Sequence, residues 1–594
     1  MVRSKGSGDA ASLGKPRKTE QRDGMCIDWD VPIEMDDGLV LMADVFRPIA
    51  AGQYPVIMSH GAYGKQLHFE DGYKTAWDKM ISDYPEILAE STGLYQNWEV
   101  VDPEKWVPHG YVCVRVDSRG AGRSPGRLDP RSPRETLDYK NCIEWAGVQK
   151  WSNGKVGLNG ISYYAINQWM VAAHQPRHLA ALCLWEAMAD HYRDYIFHGG
   201  IYCTFAQNWY DMQLRTVQNG MGARGKRSRA NGTAVAGDVT MSEEELGSNR
   251  IDMWRELFEH SLDDPYHRDR GVDLSKVKVP MLSASNWGGQ GLHPRGNFEG
   301  FEHAASEQKW LEVHGQEHWT QFYTDYGLDL QRRFFDHFLK GEDNGWDKQP
   351  KVQLQVRHPG ERFELRHEDN WPIPRTQWTR MHLQPGERLS GKACAVESTV
   401  SFKALGDGLT FLTEPMEAST EITGPIAARL QISSSTTDAD FFLILRVFSP
   451  DLKEVTFAGA LDPRTPIAQG WLRASHRKLD PTLSKPHRPW HPHDEIQPLE
   501  PGKKYALDIE IWPTCIVVPA GYRIGLSVRG KDYVHPGGTG SRLSTMKNDL
   551  TGCGPFLHDD PRDRPVSIFG GTTTIHLGVD EDNFVLLPII PGER

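Results

Sequence analysis

A change of rhythm near residue 345 constrains this 594-residue chain more than any other feature. From about Cys26 to Lys340, short β-like runs alternate with segments of helical period, the pattern of βαβ units and a largely parallel sheet. Beyond Pro350 helical period is scarce. Alternating runs such as VQLQVR, ARLQISS, FFLILRVFSP and YALDIEIWP recur between turn residues instead, which predicts an all-β sandwich. The expected division is a flexible tail over 1–24, an α/β domain over 25–345 and a C-terminal β domain over 346–594.

Within the α/β part, Tyr54 to Ser59, Tyr111 to Val116, Leu179 to Trp185 and Val279 to Ser285 read as strands. Tyr139, Cys142, Ile143 and Ala146 share one helical face, and Ile166, Trp169, Met170 and Ala173 repeat the spacing, so both segments are expected to be amphipathic helices. The stretch 192–270 breaks the rhythm with aromatic clusters, a basic glycine-containing loop and SEEELGSNRIDMWRELFEHSL, and reads as an inserted cap. A Phe-rich helix (Phe334, Phe335, Phe338, Leu339) should end at Gly341. The first two dozen residues carry almost no apolar side chain and cannot offset their own ordering entropy.

Composition removes several function classes. Sixty-seven basic against 79 acidic residues give a net charge of −12, which disfavours nucleic acid as a partner. No apolar run is long enough to cross a membrane, and the N-terminus lacks the apolar core of a secretory signal. The eight cysteines form no CxxC pair, and Cys113 and Cys183 lie inside apolar runs, so buried thiols and a cytoplasmic location are expected.

The chemistry concentrates in two places. KVGLNGIS (Lys155 to Ser162) reads as a strand ending in Gly160-Ile161-Ser162 and followed at once by a helix, the setting of a nucleophile elbow. A serine on such a turn presents its Oγ above the sheet, at a helix N-terminus that favours negative charge. The strict GxSxG is not met, because Tyr164 stands at the last glycine position. A serine nucleophile needs a base, and in α/β hydrolases the histidine follows the last core strand. KWLEV (Lys309 to Val313) is that strand, and His314-Gly315-Gln316-Glu317-His318 follows it.

The same five residues spell HxxEH, an inverted zinc-protease pattern, but Gly315 and the preceding β run argue against the helix that two such ligands need. His487, His491, His493 and Asp494 lie in a Pro-interrupted loop better read as hydrogen-bonded histidines, and Asp438 with Asp440 supplies too few oxygens for calcium. No metal and no cofactor is expected.

Taken together, several blocks resemble the cocaine esterase and X-prolyl dipeptidyl aminopeptidase (CocE/NonD) family of serine hydrolases: DDG followed by LMADVFRP, VDSRGAGRSPG (Asp117 to Gly126), IEWAGVQKWSNGKVGLNGISY (Ile143 to Tyr163), and ITGPIAARLQISSS, LRASHRKLD and LEPGKKY in the β part. The resemblance, spanning Met25 to the C-terminus, implies an α/β-hydrolase domain with a helical cap and a C-terminal jelly roll. It places the nucleophile on Ser162, the base on His318, and the oxyanion hole on the Tyr63 hydroxyl and the Tyr163 amide. One block departs. The family supplies its acid from Gly-Trp-Tyr-Asp, whereas this chain reads Asn286-Trp287-Gly288-Gly289, with glycine in place of the aspartate. The acid has moved, is dispensable, or is lost with hydrolysis. Glu186, at the end of the preceding strand, is the chosen replacement, with Asp190 next; a structural ion pair between Glu186 and a cap arginine such as Arg193 is the competing account.

The reading is a serine hydrolase that cleaves a small-molecule ester or amide through an acyl-enzyme, with no nucleic acid or membrane partner and a homo-oligomer left open. The rivals are a lyase or acyltransferase on the same fold, and a carbohydrate-binding β domain with a silent hydrolase attached. The aromatic cap residues Phe205, Trp209, Tyr210 and Trp254 suggest an apolar substrate group or simply the cap's own core.

Overall fold

A computed structural model describes residues 15–538 and 549–592. The N-terminal sheet contains β1 (Lys18–Arg22), β2 (Met25–Glu34), β3 (Val40–Pro48), β4 (Tyr54–Gly61), β5 (Val112–Asp117), β6 (Ser152–Ile161) and β7 (Leu179–Trp185). A two-stranded cap hairpin follows, β8 (Phe197–His198) and β9 (Ile201–Tyr202), and the sheet resumes with β10 (Met281–Asn286), β11 (Lys309–His314), β12 (Val352–His358) and β13 (Arg362–Glu368). Its order is β1-β2-β3-β5-β4-β6-β7-β10-β11-β12-β13. Neighbours from β5 to β12 run parallel and both flanks are antiparallel. This is the α/β-hydrolase architecture expected from the alternating rhythm, and all four predicted strands are present.

Two expectations need correction at the edges. Part of the expected tail is a strand: β1 pairs along its whole length with β2, Thr19 Oγ1 donates to Asp28 at 2.6 Å, and Trp29 Nε1 donates to Glu20 at 2.7 Å. Cross-strand hydrogen bonds to an already buried neighbour supply the order that the segment's own composition could not. The rest of that expected tail, residues 1–14, lies outside the described residues. At the other end, β12 and β13 lie beyond residue 345 yet hydrogen-bond to the first sheet, β12 against β11 through Leu311–Val352. An alternating run has the same period in either sheet, so the sequence could not say which one it joins.

The helix Pro133–Gly147 is amphipathic as expected, with Tyr139, Cys142, Ile143 and Ala146 buried. The helix Tyr163–Ala172 is not: all ten of its residues are buried. It lies under the helix Pro294–His303, where the place of a Cβ on Gly300 is 2.3 Å from the Trp169 ring. The Phe-rich helix ends at Gly341 with φ 77°, the left-handed cap that glycine favours.

The C-terminal domain is all-β, as predicted. Hydrogen bonding runs through Thr420–Ser434, Tyr505–Val518, Ala468–Arg473, Asp440–Phe448, Arg523–Arg529, Leu409–Leu412, Arg388–Ser390, Gln377–Gln384 and Phe584–Ile590, and the last pairs back onto the first. The sheet therefore closes into a barrel around Leu430, Phe441, Leu443, Ile509, Leu526 and Val585. Closure removes the edges of these nine strands, while Thr572–Leu577 branches off Thr420–Ser434 and carries Ser398–Lys403 as an outer strand. One loop of this domain reaches the α/β part: the Ala460 amide donates to the Gly288 carbonyl at 3.2 Å, and the His318 amide donates to the Ala460 carbonyl at 2.9 Å.

Candidate active site

Strand β6 ends at Ile161, and Ser162 caps the next helix with φ 55° and ψ −114°, a backbone conformation costly for any residue with a Cβ. Its amide donates to the Trp185 carbonyl at 2.9 Å and its carbonyl accepts from Ala165 and Ile166, so both sides of the turn are fixed. Gly160 (φ 156°) is required because a Cβ there would stand 2.5 Å from Tyr164 Cβ. The Tyr164 ring lies over Gly61, where a Cβ would come within 2.7 Å. Space cleared at Gly61 and Gly160 is what lets a tyrosine occupy the motif's last glycine position.

Ser162 opens into a cavity walled by Tyr63, Trp98, Glu99, Arg131, Tyr163, Tyr195, Phe205, Trp209, His293, His318 and Trp319, with Ala460, Leu461 and Phe556 contributed by the C-terminal domain. All five residues singled out by sequence converge here or directly behind. His318 follows β11 and is buried. Its Nδ1 is 3.5 Å from Glu186 Oε2 and its Nε2 is 3.5 Å from Glu99 Oε1, ion-pair distances longer than a tight hydrogen bond. Glu186 follows β7 at φ 55° and is fully buried. Its other oxygen, Oε1, is 3.1 Å from His314 Nε2, and His314 Nδ1 is 2.7 Å from Glu312.

Burial would drive these groups to their neutral forms; at Glu186, His318 and His314 the contacts outweigh it, and at Glu99 they do not. Glu186 is pushed up by desolvation and held at about 2 by His314 and His318. Desolvation lowers His318, and Glu186 with Glu99 raises it to about 9. His314 is likewise raised against burial, by Glu312 and Glu186, to about 10. Glu99, buried, is shifted upward by desolvation although His318 opposes the shift.

The place of the missing aspartate adjoins Glu186. A Cβ on Gly289 would lie at ordinary contact distance from Glu186 Oε2, 3.4 Å, and 3.2 Å from Pro294 Cδ, whereas one on Gly288 would lie 2.4 Å from the Gly459 Cα. Gly288 therefore answers to the C-terminal loop, while Gly289 is bounded by Pro294 and borders Glu186. Asp190 does not approach the histidines: it pairs with Arg193 at 2.8 Å. Arg193 binds Asp190 and Asp263 rather than Glu186.

Tyr63, after β4, accepts a hydrogen bond from Trp209 Nε1 at 2.8 Å, which leaves its own proton free to donate. Burial raises it well above its usual value, so it stays a phenol. The Tyr163 side chain donates to Glu135 at 2.6 Å, while its backbone amide opens the helix behind Ser162. Of the cap aromatics, Phe205 and Trp209 wall the cavity, whereas Tyr210 donates to the Ile251 carbonyl and Trp254 stacks on Phe258.

Three site residues escaped the sequence reading: His293, Glu99 and Arg131. His293 Nε2 is 3.4 Å from Ser162 Oγ, and its ring stacks on His318 with centroids 4.9 Å apart. Burial and the neighbouring His318 keep it neutral. A histidine seven residues beyond an unremarkable strand end carries no local signal; for Glu99 and Arg131 the only signal is a backbone one, since both have φ 58°, and sequence does not display it.

Among the described residues, the candidate ligands that the sequence offered are mostly engaged by other groups of the chain. His314 ends a strand and His318 follows it, so the HxxEH pattern shares no helical face. His491 bonds the carbonyls of Lys478 and Asp508, His493 meets His476 at 3.0 Å, and Asp494 pairs with Lys478. Asp440 is neutralised by Arg473 and Arg564. Of the other clusters with ligand-like spacing among the described residues, His198, Cys203 and His558 lie between cap and β domain, with His558 Nδ1 on Asp532 at 2.8 Å, and Glu299 is taken by Arg488.

The profile of the X-Pro dipeptidyl-peptidase (S15) family matches residues 37–320, and that of the X-Pro dipeptidyl-peptidase C-terminal non-catalytic domain matches residues 344–580. The chain is similar to a CocE/NonD family hydrolase from Staphylococcus aureus, at 31% identity and a TM-score of 0.82 over 96% of this chain and 94% of that one. It is 24% identical to the cocaine esterase of Rhodococcus sp. (strain MB1 Bresler), over 94% of this chain and 98% of that protein. An α-amino acid ester hydrolase shares the fold, with a TM-score of 0.67 at 17% identity over 99% of this chain and 100% of that one.

Proposed function

This chain belongs to the CocE/NonD family of hydrolases, a serine hydrolase of ester or amide bonds, and from that premise we propose that it works on a small-molecule substrate through a Ser162–His318–Glu186 triad. The observation that carries this reading is the position of the Glu186 carboxylate: its Oε2 lies 3.4 Å from the place of a Gly289 Cβ, where relatives of this kind supply their acid, and 3.5 Å from His318 Nδ1.

In this mechanism His318, as free base, takes the Ser162 proton while Oγ attacks the substrate carbonyl, and Glu186 holds the imidazolium that forms. The oxyanion receives hydrogen bonds from the Tyr63 hydroxyl and the Tyr163 amide, donors fixed before the substrate arrives, each worth about 3 kcal/mol in such sites. The imidazolium returns its proton to the leaving oxygen or nitrogen as the bond to carbon breaks. The acyl-enzyme is then cleared by water, which gives His318 a proton while its oxygen bonds the acyl carbon; the proton goes back to Ser162 as the ester opens. His293, in contact with Ser162 Oγ, holds the hydroxyl in the resting site. Buried free thiols at all eight cysteines support the proposal of a reducing, cytoplasmic compartment.

Intact-mass analysis after a fluorophosphonate probe tests this reading. One adduct is expected on the wild type, none on Ser162→Ala and slower labelling on Glu186→Gln. A folded wild type without an adduct overturns it.

A further inference from the structure

Buried arginines in this protein are held by anions or carbonyls. Arg295 pairs with Asp194 and Glu510, Arg473 with Asp440 and Asp563, Arg488 with Glu299, and Arg115 donates to the carbonyls of Tyr95 and Val101. Arg131 differs. It is 3% exposed and walls the cavity of Ser162, yet among the described residues its guanidinium meets no carboxylate at ion-pair distance and no backbone carbonyl. Its neighbours are aromatic: the guanidinium carbon lies 4.0 Å from the Tyr195 ring centre, 5.1 Å from Trp209 and 5.8 Å from Tyr163, with the Tyr195 hydroxyl beside it. Its Nε is buried without a partner.

A guanidinium keeps its charge in any protein, and burying that charge without an anion is expensive. Aromatic faces return part of the cost, typically less than an ion pair. The backbone adds to it, since Arg131 sits at φ 58°, held there by its amide donating to Glu135 at 2.5 Å. Glu135 feels the Arg131 charge but stays beyond ion-pair distance, takes hydrogen bonds from the Arg131 amide and from Tyr163, and is still lifted by burial to about 7, so it is a poor permanent counter-ion. The other carboxylate of the cavity wall, Glu99, faces His318 and Trp319 rather than the aromatic cage of Arg131. A charge set at this expense in the substrate cavity has a missing partner, and the fork of a guanidinium matches a carboxylate in two parallel hydrogen bonds.

We propose that Arg131 is an anion-binding subsite of the active site and that the substrate is an ester or amide bearing a free carboxylate. This rests on Ser162 as the nucleophile, and names the substrate class for it.

Two matched substrate pairs test the idea on the full chain: 4-nitrophenyl hemiglutarate against 4-nitrophenyl pentanoate for a carboxylate on the acyl side, and 4-carboxyphenyl acetate against phenyl acetate for one on the leaving side. In one pair the wild type should prefer the anionic member by about ten- to hundredfold in kcat/KM, chiefly through KM, the yield of one charge-assisted contact. Arg131→Gln should lose the preference and Arg131→Lys should keep part of it, with fluorophosphonate labelling of Ser162 retained in both. No preference in either pair, or a preference unchanged in Arg131→Gln, overturns the proposal and leaves Arg131 a packing residue of the aromatic cage. A thermal shift read with glutarate, and separately with inorganic phosphate, needs no turnover. Stabilisation of the wild type by glutarate but not of Arg131→Gln supports the subsite even if the Ser162 reading fails; stabilisation by phosphate alone overturns the carboxylate assignment.

Discussion

Glu186 and Gly289 are neighbours: a Cβ on Gly289 would stand 3.4 Å from Glu186 Oε2, at ordinary contact, and 3.2 Å from Pro294 Cδ. An acid arriving from β7 and a side chain arriving from the β10 turn would therefore be neighbours, which is why Glu186 is read as standing in for the aspartate. The backbone φ of Gly289 lies outside the left-handed region, so other residues are allowed there by conformation, with Pro294 the tighter neighbour.

Relocating the acid should therefore be reversible. Glu186→Ala should lower kcat by about 10⁴-fold, the order seen when a triad acid is lost. Adding Gly289→Asp to that variant should restore at least tenfold of the loss, whereas Gly289→Asp alone sets two carboxylates side by side and should cost stability by about 1–3 kcal/mol. Ester kinetics and urea unfolding of the three variants check both arms; no recovery in the double variant counts against Glu186 as the acid.

The pH profile follows from the same cluster. His318 acts as a base only when unprotonated, and Glu186 with Glu99 raises it, against burial, to about 9. Below that value kcat/KM should rise roughly tenfold per pH unit. Glu186→Gln removes one anion, so the rising limb should move to lower pH while the plateau falls. For stability the signs are opposite on the two sides. The raised His318 stabilises the fold fully below its ordinary 6.5 and loses that contribution as pH climbs to about 9. Glu186, held at about 2, stabilises it above the ordinary 4.5 and loses that contribution as pH falls towards about 2. Chemical denaturation across pH, with and without Glu186→Gln, measures both.

Two stacked imidazoles, His293 and His318, wall the cavity of Ser162, and their substitutions should separate. His318→Asn should cost about 10⁶-fold in kcat, the loss of a triad base, while His293→Asn should cost about tenfold, because in this reading it only steadies the Ser162 hydroxyl. Single-turnover acylation reads the difference, and the reverse ranking would assign the base to His293.

Backbone strain at Ser162 predicts a trade of activity for stability. With φ 55° and ψ −114° the residue occupies a region in which glycine is at ease. Ser162→Gly should abolish labelling and turnover yet raise unfolding stability by about 1 kcal/mol, net of glycine's extra chain entropy. Equal or lower stability in Ser162→Gly would mean that the turn is not strained.

Tyr63→Phe tests the oxyanion hole. The hydroxyl accepts from Trp209, so its proton is available to the substrate. Removing it should lower kcat about a hundredfold with KM nearly unchanged. A loss confined to KM would make Tyr63 a binding residue instead.

The sequence by itself determined the elements whose signals are local. Helical and strand periods in neighbouring residues are local signals for the parallel sheet, the all-β second domain and the Gly341 cap; the strand-turn-helix context singled out Ser162 as the candidate nucleophile, and position after the last core strand singled out His314 and His318, between which only the family resemblance chose His318. Glu186 was reachable by the same logic of strand ends. Tertiary structure alone decided the rest. The run Val352–His358 joins the first sheet through β11, a choice its alternation leaves open. Lys18–Arg22 is ordered by its partner β2. His293, Glu99 and Arg131 reach the cavity from separate parts of the chain, and Ala460 and Phe556 close it from the other domain. Periodicity is written over a few consecutive residues and can be read there. A site is an intersection of distant segments, and what a buried charge or a glycine means at that intersection depends on which atoms of those segments meet it.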